Sequence, residues 1–138
     1  MDTKVYLDTN IILDLFDTKR HFSKSSIALI DELLQEGSDF YINSDTLTNT
    51  FFILKSRKKV SQEVALDALE KITAFCEVVP VEKSDAQKAI NLCKDSKMPY
   101  MDYVDTLQYV CAKKIGADLI VTNDKGFVSL DIETKCTQ

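Results

Sequence analysis

Short runs of consecutive apolar residues alternate along this chain with longer stretches in which apolar positions recur every three or four residues. Val5-Tyr6-Leu7, Phe40-Tyr41-Ile42, the 78–81 segment and Leu119-Ile120-Val121 read as strands, and the tail around Ile132 as a weak fifth. Pro80 places the third of these at a sheet edge or strand end, because proline has no N–H for the ladder. Between the strands, residues 10–16 carry Ile11, Ile12, Leu15 and Phe16 at helical spacing. Ile27, Ile30, Leu33 and Leu34 mark the inner face of a second helix that Gly37 stops. Ser44 is the expected cap of a helix with Leu47, Phe51 and Leu54 inward, and Ser61 that of one burying Val64, Ala65, Ala68, Leu69 and Ile72. Ser84 opens a further helix through Ala86, Ala89, Ile90 and Cys93. After the loop near Pro99, the last helix starts near Asp102 and points Leu107, Val110, Cys111 and Ile115 inward before Gly116. Strands this short and apolar, separated by helices, require crossover connections and a parallel sheet covered on both faces. The expectation is one α/β domain over residues 1–138, a three-layer α/β/α sandwich around a central, mainly parallel sheet of four or five strands.

Composition narrows the function more than the fold. The chain has 138 residues, 45% apolar and 28% charged, which suits one globular domain and excludes a disordered chain. Three glycines and two prolines disfavour a Gly-rich phosphate loop. Twenty-two acidic against seventeen basic residues, net −5, argue against holding nucleic acid by bulk positive charge. Cys76, Cys93, Cys111 and Cys136 form no C-x-x-C pair and the one histidine, His21, is remote, so a zinc site is not expected and the cysteines read as small hydrophobes. The first residues show no basic-then-apolar leader, and no apolar run approaches the ~20 residues of a membrane span. A reducing cytoplasm is the expected compartment.

The candidate chemistry lies where strands end. In open parallel sheets, ligands collect beyond the carboxyl ends of the strands. The first strand delivers Asp8-Thr9-Asn10 there and the fourth delivers Thr122-Asn123-Asp124. Asp102 and Asp105, three apart, share one face at the start of the last helix. Any one such aspartate is readily a turn residue or a helix N-cap. Three aspartate-bearing segments at one sheet edge are harder to explain that way, because converging carboxylates repel unless a hard cation offsets them. Mg²⁺ or Mn²⁺ binds through one or two carboxylates plus waters, and can polarise a phosphodiester and activate water for in-line attack.

These stretches carry a resemblance. YLDTNIILDLF (residues 6–16), DYVDTLQYVCAKKIGADLIVTND (residues 102–124) and the following Gly126-Phe127 make the chain resemble the PIN domain family, the fold of many metal-dependent ribonucleases and of the VapC-type toxins of bacterial toxin–antitoxin pairs. The resemblance implies Asp8, Asp105 and Asp124 as catalytic metal ligands, with Asp102 as an extra acid, and Asn10 and Thr122 orienting carboxylates or holding a water. It implies Mg²⁺ or Mn²⁺ as cofactor, RNA as substrate, hydrolysis by metal-activated water, and a small antitoxin protein as partner. One position departs from the pattern. Where the family usually has an acid, commonly Glu, on the helix after the second strand, the aligned residue is Asn49; it can bind a cation through its carbonyl but adds no charge. Asp45 substitutes if the register shifts by one turn.

Lys55, Arg57, Lys58 and Lys59 are the only dense basic run, read either as a solvated helix end or as a phosphate-guiding edge helped by Lys19, Arg20 and Lys24. Of Phe51, Phe52 and Ile53, mostly core by pattern, one is left to face a dimer partner or an antitoxin helix. The competing reading is a catalytically degenerate PIN domain acting as an RNA- or protein-binding module. Phosphotransfer folds fit poorly, since Asp8-Thr9-Asn10 lacks the second acid of an Asp-x-Asp signature.

Overall fold

In the structure, a computed structural model that describes residues 2–138, pairs of helices separate the first four of five strands. Their order is β1 (Lys4–Leu7), α1 (Thr9–Phe16), α2 (Ser23–Gln35), β2 (Asp39–Asn43), α3 (Ser44–Ser56), α4 (Gln62–Phe75), β3 (Cys76–Val79), α5 (Lys83–Lys94), α6 (Tyr103–Lys114), β4 (Leu119–Val121) and β5 (Glu133–Lys135). The strands form one sheet in the order β3-β2-β1-β4-β5, and every neighbouring pair is parallel. The weak fifth strand is real, and β3 is an edge, with Pro80 directly after it.

Two-residue alternation divides the core. Val5, Leu7, Phe40, Ile42, Leu119 and Val121 point to one face, where Ile11 and Ile12 of α1, Leu29, Ile30 and Leu33 of α2 and Ile72 of α4 cover them. Tyr6 and Ile120 point to the other, under Ala89 of α5 and Leu107, Val110 and Cys111 of α6. Burying each large aliphatic side chain contributes about 1.5–3 kcal/mol, so these two layers hold the sheet between its helices. A third, small cluster of Leu54, Ala65 and Ala68 locks α3 onto α4. Cys76 and Cys111 sit in the core, where burial pushes their thiols up to about 12 and about 11.

Several boundaries and faces differ from the sequence expectation, each for a local reason. Asn43, rather than Ser44, caps α3, its Oδ1 accepting from Thr46 N–H at 3.0 Å; Ser44 Oγ instead accepts from Val81 N–H. β3 begins at Cys76 and ends at Val79, because α4 runs straight into it. α5 starts one residue early, with Glu82 N–H donating to Asp85 Oδ2. Ile27 and Leu34 are 42% and 51% exposed, and Val64 and Ile90 also face outward. In α2 the buried stripe is rotated towards Ser23 and Ser26, which close around the buried Asp14: Ser26 Oγ donates to Asp14 Oδ2 at 2.6 Å, and Arg20 Nε to Oδ1 at 2.6 Å. Apolar periodicity has no means of detecting that a buried carboxylate draws a polar face inward. In α5 the same happens with Asp85, answered by Lys114 Nζ at 2.7 Å.

No helix among the described residues is long and apolar enough to cross a membrane.

Candidate metal centre

The strand order reverses between β1 and β4, the crevice where parallel α/β sheets hold ligands. Asp8 leaves β1 at that point. It occupies the N-cap position of α1, yet its side chain caps nothing. Both carboxylate oxygens are held otherwise: Oδ1 accepts from Gln108 Nε2 at 2.9 Å and Oδ2 from Thr122 Oγ1 at 2.7 Å. Gln108 Oε1 accepts from Thr9 N–H at 3.2 Å, which fixes the amide so that only its NH₂ faces Asp8. Asp8 is 2% exposed, and these two donors satisfy both of its buried carboxylate oxygens.

Asp124 follows β4 in a tight turn, where its Oδ1 accepts from Gly126 N–H at 2.8 Å and its own N–H donates to Thr122 Oγ1 at 3.1 Å. Asp105 lies in the first turn of α6, whose N-cap is Asp102 with its Oδ2 accepting from Asp105 N–H at 3.3 Å. Burial, then a hydrogen bond with the Asp124 carboxyl, then the charges of Asp8, Asp124 and Asp102 push the Asp105 carboxyl up to about 7. Among the described residues none of these four acids forms an ion pair with lysine, arginine or histidine.

That combination fits a hard divalent cation. The donors are oxygens, and the neighbouring carboxylates raise the affinity of the Asp105 carboxyl for positive charge, which a bound cation would satisfy. Among the described residues no group of three or more histidine, cysteine, aspartate or glutamate side chains is placed to hold a metal ion. Mg²⁺ needs no such cage, since it keeps most of its waters and takes one or two carboxylates. A cleft of about 380 Å³ opens directly on Asp8 and Asp105, walled by Asn10, Asn49, Phe52, Ile53, Arg57, Val104 and Gln108.

The profile of the family described as "PIN domain" matches residues 5–133. The chain belongs to the PIN domain family. Ribonuclease VapC1 of Aquifex aeolicus (strain VF5) is 38% identical over 135 residues, an alignment covering 98% of this chain and 91% of that protein. Two solved structures share the fold. VapC20 of Mycobacterium tuberculosis, a toxin that cleaves the sarcin–ricin loop, superimposes with a TM-score of 0.70 at 16% identity, over 91% of this chain and 98% of that one. A DNA-bound VapBC complex from Salmonella typhimurium does so with a TM-score of 0.72 at 18% identity, over 99% of each chain.

In this PIN domain, Asp8, Asp105, Asp124 and Thr122 come together at the sheet's carboxyl edge, with Asp102 adjacent. Asn49 faces the cleft, while Asp45 lies one turn back in a small side cavity with Tyr103 and Thr46. Asn10 lines the cleft wall but makes no side-chain hydrogen bond among the described contacts; the orienting role falls to Gln108 beside Thr122. The basic run disperses. Arg57 lines the cleft, whereas Lys58 Nζ pairs with Asp17 at 2.8 Å and Lys55 and Lys59 line no wall of it. Arg20, counted as a helper at the sequence level, is engaged by Asp14. Gln108 escaped sequence reasoning; the available signal was its position three residues after Asp105, on the same helix face.

Proposed function

We propose that this PIN domain is a Mg²⁺- or Mn²⁺-dependent endoribonuclease that hydrolyses RNA phosphodiester bonds, and that it is the toxin of a toxin–antitoxin pair. The observation that carries the reading is the approach of Asp8 and Asp124 to Asp105, none of the three forming an ion pair among the described residues. The 38% identity to a protein named Ribonuclease VapC1, over nearly the whole chain, supports the same activity. Neighbouring folds solved as VapBC complexes support a small antitoxin as partner. We further propose a homodimer acting in the cytoplasm, where its RNA substrate is found.

Asp8, Asp105 and Asp124 would hold the cation, which supplies Lewis acidity at the scissile phosphate and activates water. Thr122 and Gln108 hold the Asp8 carboxylate in place by one hydrogen bond to each oxygen. Arg57 offers phosphate a guanidinium on the opposite wall. Asn49 presents an amide to the same space and contributes no charge, which favours one cation over two.

The test is incubation of purified protein with RNA in Mg²⁺, Mn²⁺ or EDTA. Cleavage should require the cation and fall by about a hundredfold or more in Asp124→Asn, whose exposed side chain can keep its bond from Gly126 N–H. Cleavage by Asp124→Asn and Asp8→Asn equal to that of the unsubstituted chain would refute the mechanism. The neutral Asn49 favours a second reading, a non-cleaving RNA- or protein-binding module; failure to bind Mg²⁺ by calorimetry, together with retained RNA binding, would select it.

A further inference from the structure

One wall of the cleft carries no carboxylate. On α3, Asn49, Phe52, Ile53 and Arg57 follow a three- and four-residue spacing and form a single stripe that lines the cavity over Asp8 and Asp105. Phe52 is the outlier in that stripe: it is 64% exposed, although its neighbour Leu54 is buried against α4. Val104, half exposed at the start of α6, faces the same space. Leaving a phenyl ring in water forgoes the gain of burying it, so packing of the fold does not account for its placement.

We propose that Phe52 is a base-stacking platform: it receives the face of one unstacked RNA base beside the scissile phosphate, with Val104 contacting that base's edge and Arg57 its flanking phosphate. The proposal rests on the ribonuclease reading for its ligand and adds to it the residue that engages a base. Three observations favour RNA over a protein occupant. The cavity, about 380 Å³, is at the low end of single-ligand pockets and suits one nucleotide better than a helix ~10–12 Å across. Its floor is carboxylates, suited through a cation to phosphate. Its wall pairs a flat apolar ring with a guanidinium five residues on, the combination by which single-stranded nucleic acid is held without base-edge hydrogen bonds.

The experiment crosses the protein ring with the RNA base. Cleavage-silent Asp124→Asn chains carrying Phe52, Phe52→Ala, Phe52→Leu or Phe52→Trp are titrated in Mg²⁺ with single-stranded oligoribonucleotides, each bearing one abasic residue at a different position. Phe52→Ala should weaken binding of intact RNA about tenfold, within the range of one base–aromatic stack. Phe52→Leu, apolar but without a ring, should not restore it, and Phe52→Trp should. At one position, removing the base should weaken binding to Phe52 about tenfold and leave Phe52→Ala unchanged. The proposal is overturned if Phe52→Ala binds intact RNA as tightly as Phe52, or weakens intact and every abasic RNA equally. It is also overturned if Phe52→Ala leaves RNA affinity intact but changes the sedimentation coefficient, which would make Phe52 part of a protein interface. Absence of cleavage by the unsubstituted chain would reject the ribonuclease reading alone, since the stacking measurement uses binding in a chain that does not cut.

Discussion

Gln108 is the most testable element of the acid centre, because replacing its amide by an isosteric carboxyl changes one electrostatic contact. The Gln108 side chain is 2% exposed, donates to Asp8 Oδ1 at 2.9 Å and accepts from Thr9 N–H at 3.2 Å. Gln108→Leu removes both bonds in a volume-similar side chain. The lost charge-assisted bond and the orphaned Thr9 N–H together should destabilise the fold by about 2–4 kcal/mol. Gln108→Glu instead puts a second carboxylate 2.9 Å from Asp8, a repulsion of about 6 kcal/mol at an effective dielectric of ~20 and an upper bound on the effect. The two carboxyls relieve that repulsion by keeping one proton, and the introduced carboxyl, once protonated, reproduces the glutamine's donor and acceptor. The folded pair therefore titrates above its unfolded value near 4. Stability relative to the unsubstituted chain is nearly complete at low pH and falls as pH rises through the raised folded pKa, by at most about 1.4 kcal/mol per unit for one proton. Urea denaturation of the three chains in EDTA between pH 4.5 and 8 measures this directly. A Gln108→Glu deficit independent of pH, or a neutral Gln108→Leu, would refute the assignment of Gln108 as the residue that holds Asp8.

Two further outcomes follow from the same electrostatics. The Asp105 carboxyl, pushed up to about 7, binds more protons folded than unfolded between pH ~4 and 7, so the cation-free chain should lose stability as pH rises across that window. Adding Mg²⁺ should reverse the loss and release protons below pH 7, seen by calorimetry in buffers of different ionisation enthalpy; Asp105→Asn should flatten both responses, and an unchanged slope in that variant would contradict the account. Away from the site, burial raises the Asp85 carboxyl but hydrogen bonds from Lys114 and Glu82 N–H outweigh it and leave it lowered, so its contribution is present above the unfolded value near 4 and lost as pH falls through the lower folded one. Lys114→Met, which leaves the Asp85 carboxylate without its cation, should lower the melting temperature at pH 7, and Asp85→Asn in the same chain should recover part of the loss; equal melting temperatures by circular dichroism would exclude the pair as a stabilising contact.

The sequence alone determined the architecture, because parallel strands buried on both faces are written as apolar runs and their crossover helices as three- and four-residue repeats. Four strands, a weak fifth and six helices follow from those two periods, and with them the position of Asp8 and Asp124 at strand ends, while the strand order that puts β1 beside β4 came from the tertiary structure. The approach of Asp105 to both was also legible, since a helix that leads directly into a central strand begins near the far end of the sheet. The tertiary structure alone decided what side chains do to one another. Periodicity did not show that Ser26 closes over Asp14 while Ile27 stays outside, that Asn43 caps α3, or that Lys58 is engaged by Asp17 and only Arg57 of the basic run lines the cleft. Gln108 shows the division most plainly. A polar residue among the buried positions of a helix carries no sign of its partner in one dimension, and its partner lies 100 residues away. Burial favours a contact by area, which a sequence pattern records; hydrogen bonds and ion pairs depend on a few tenths of an ångström, which exist only once distant segments have met.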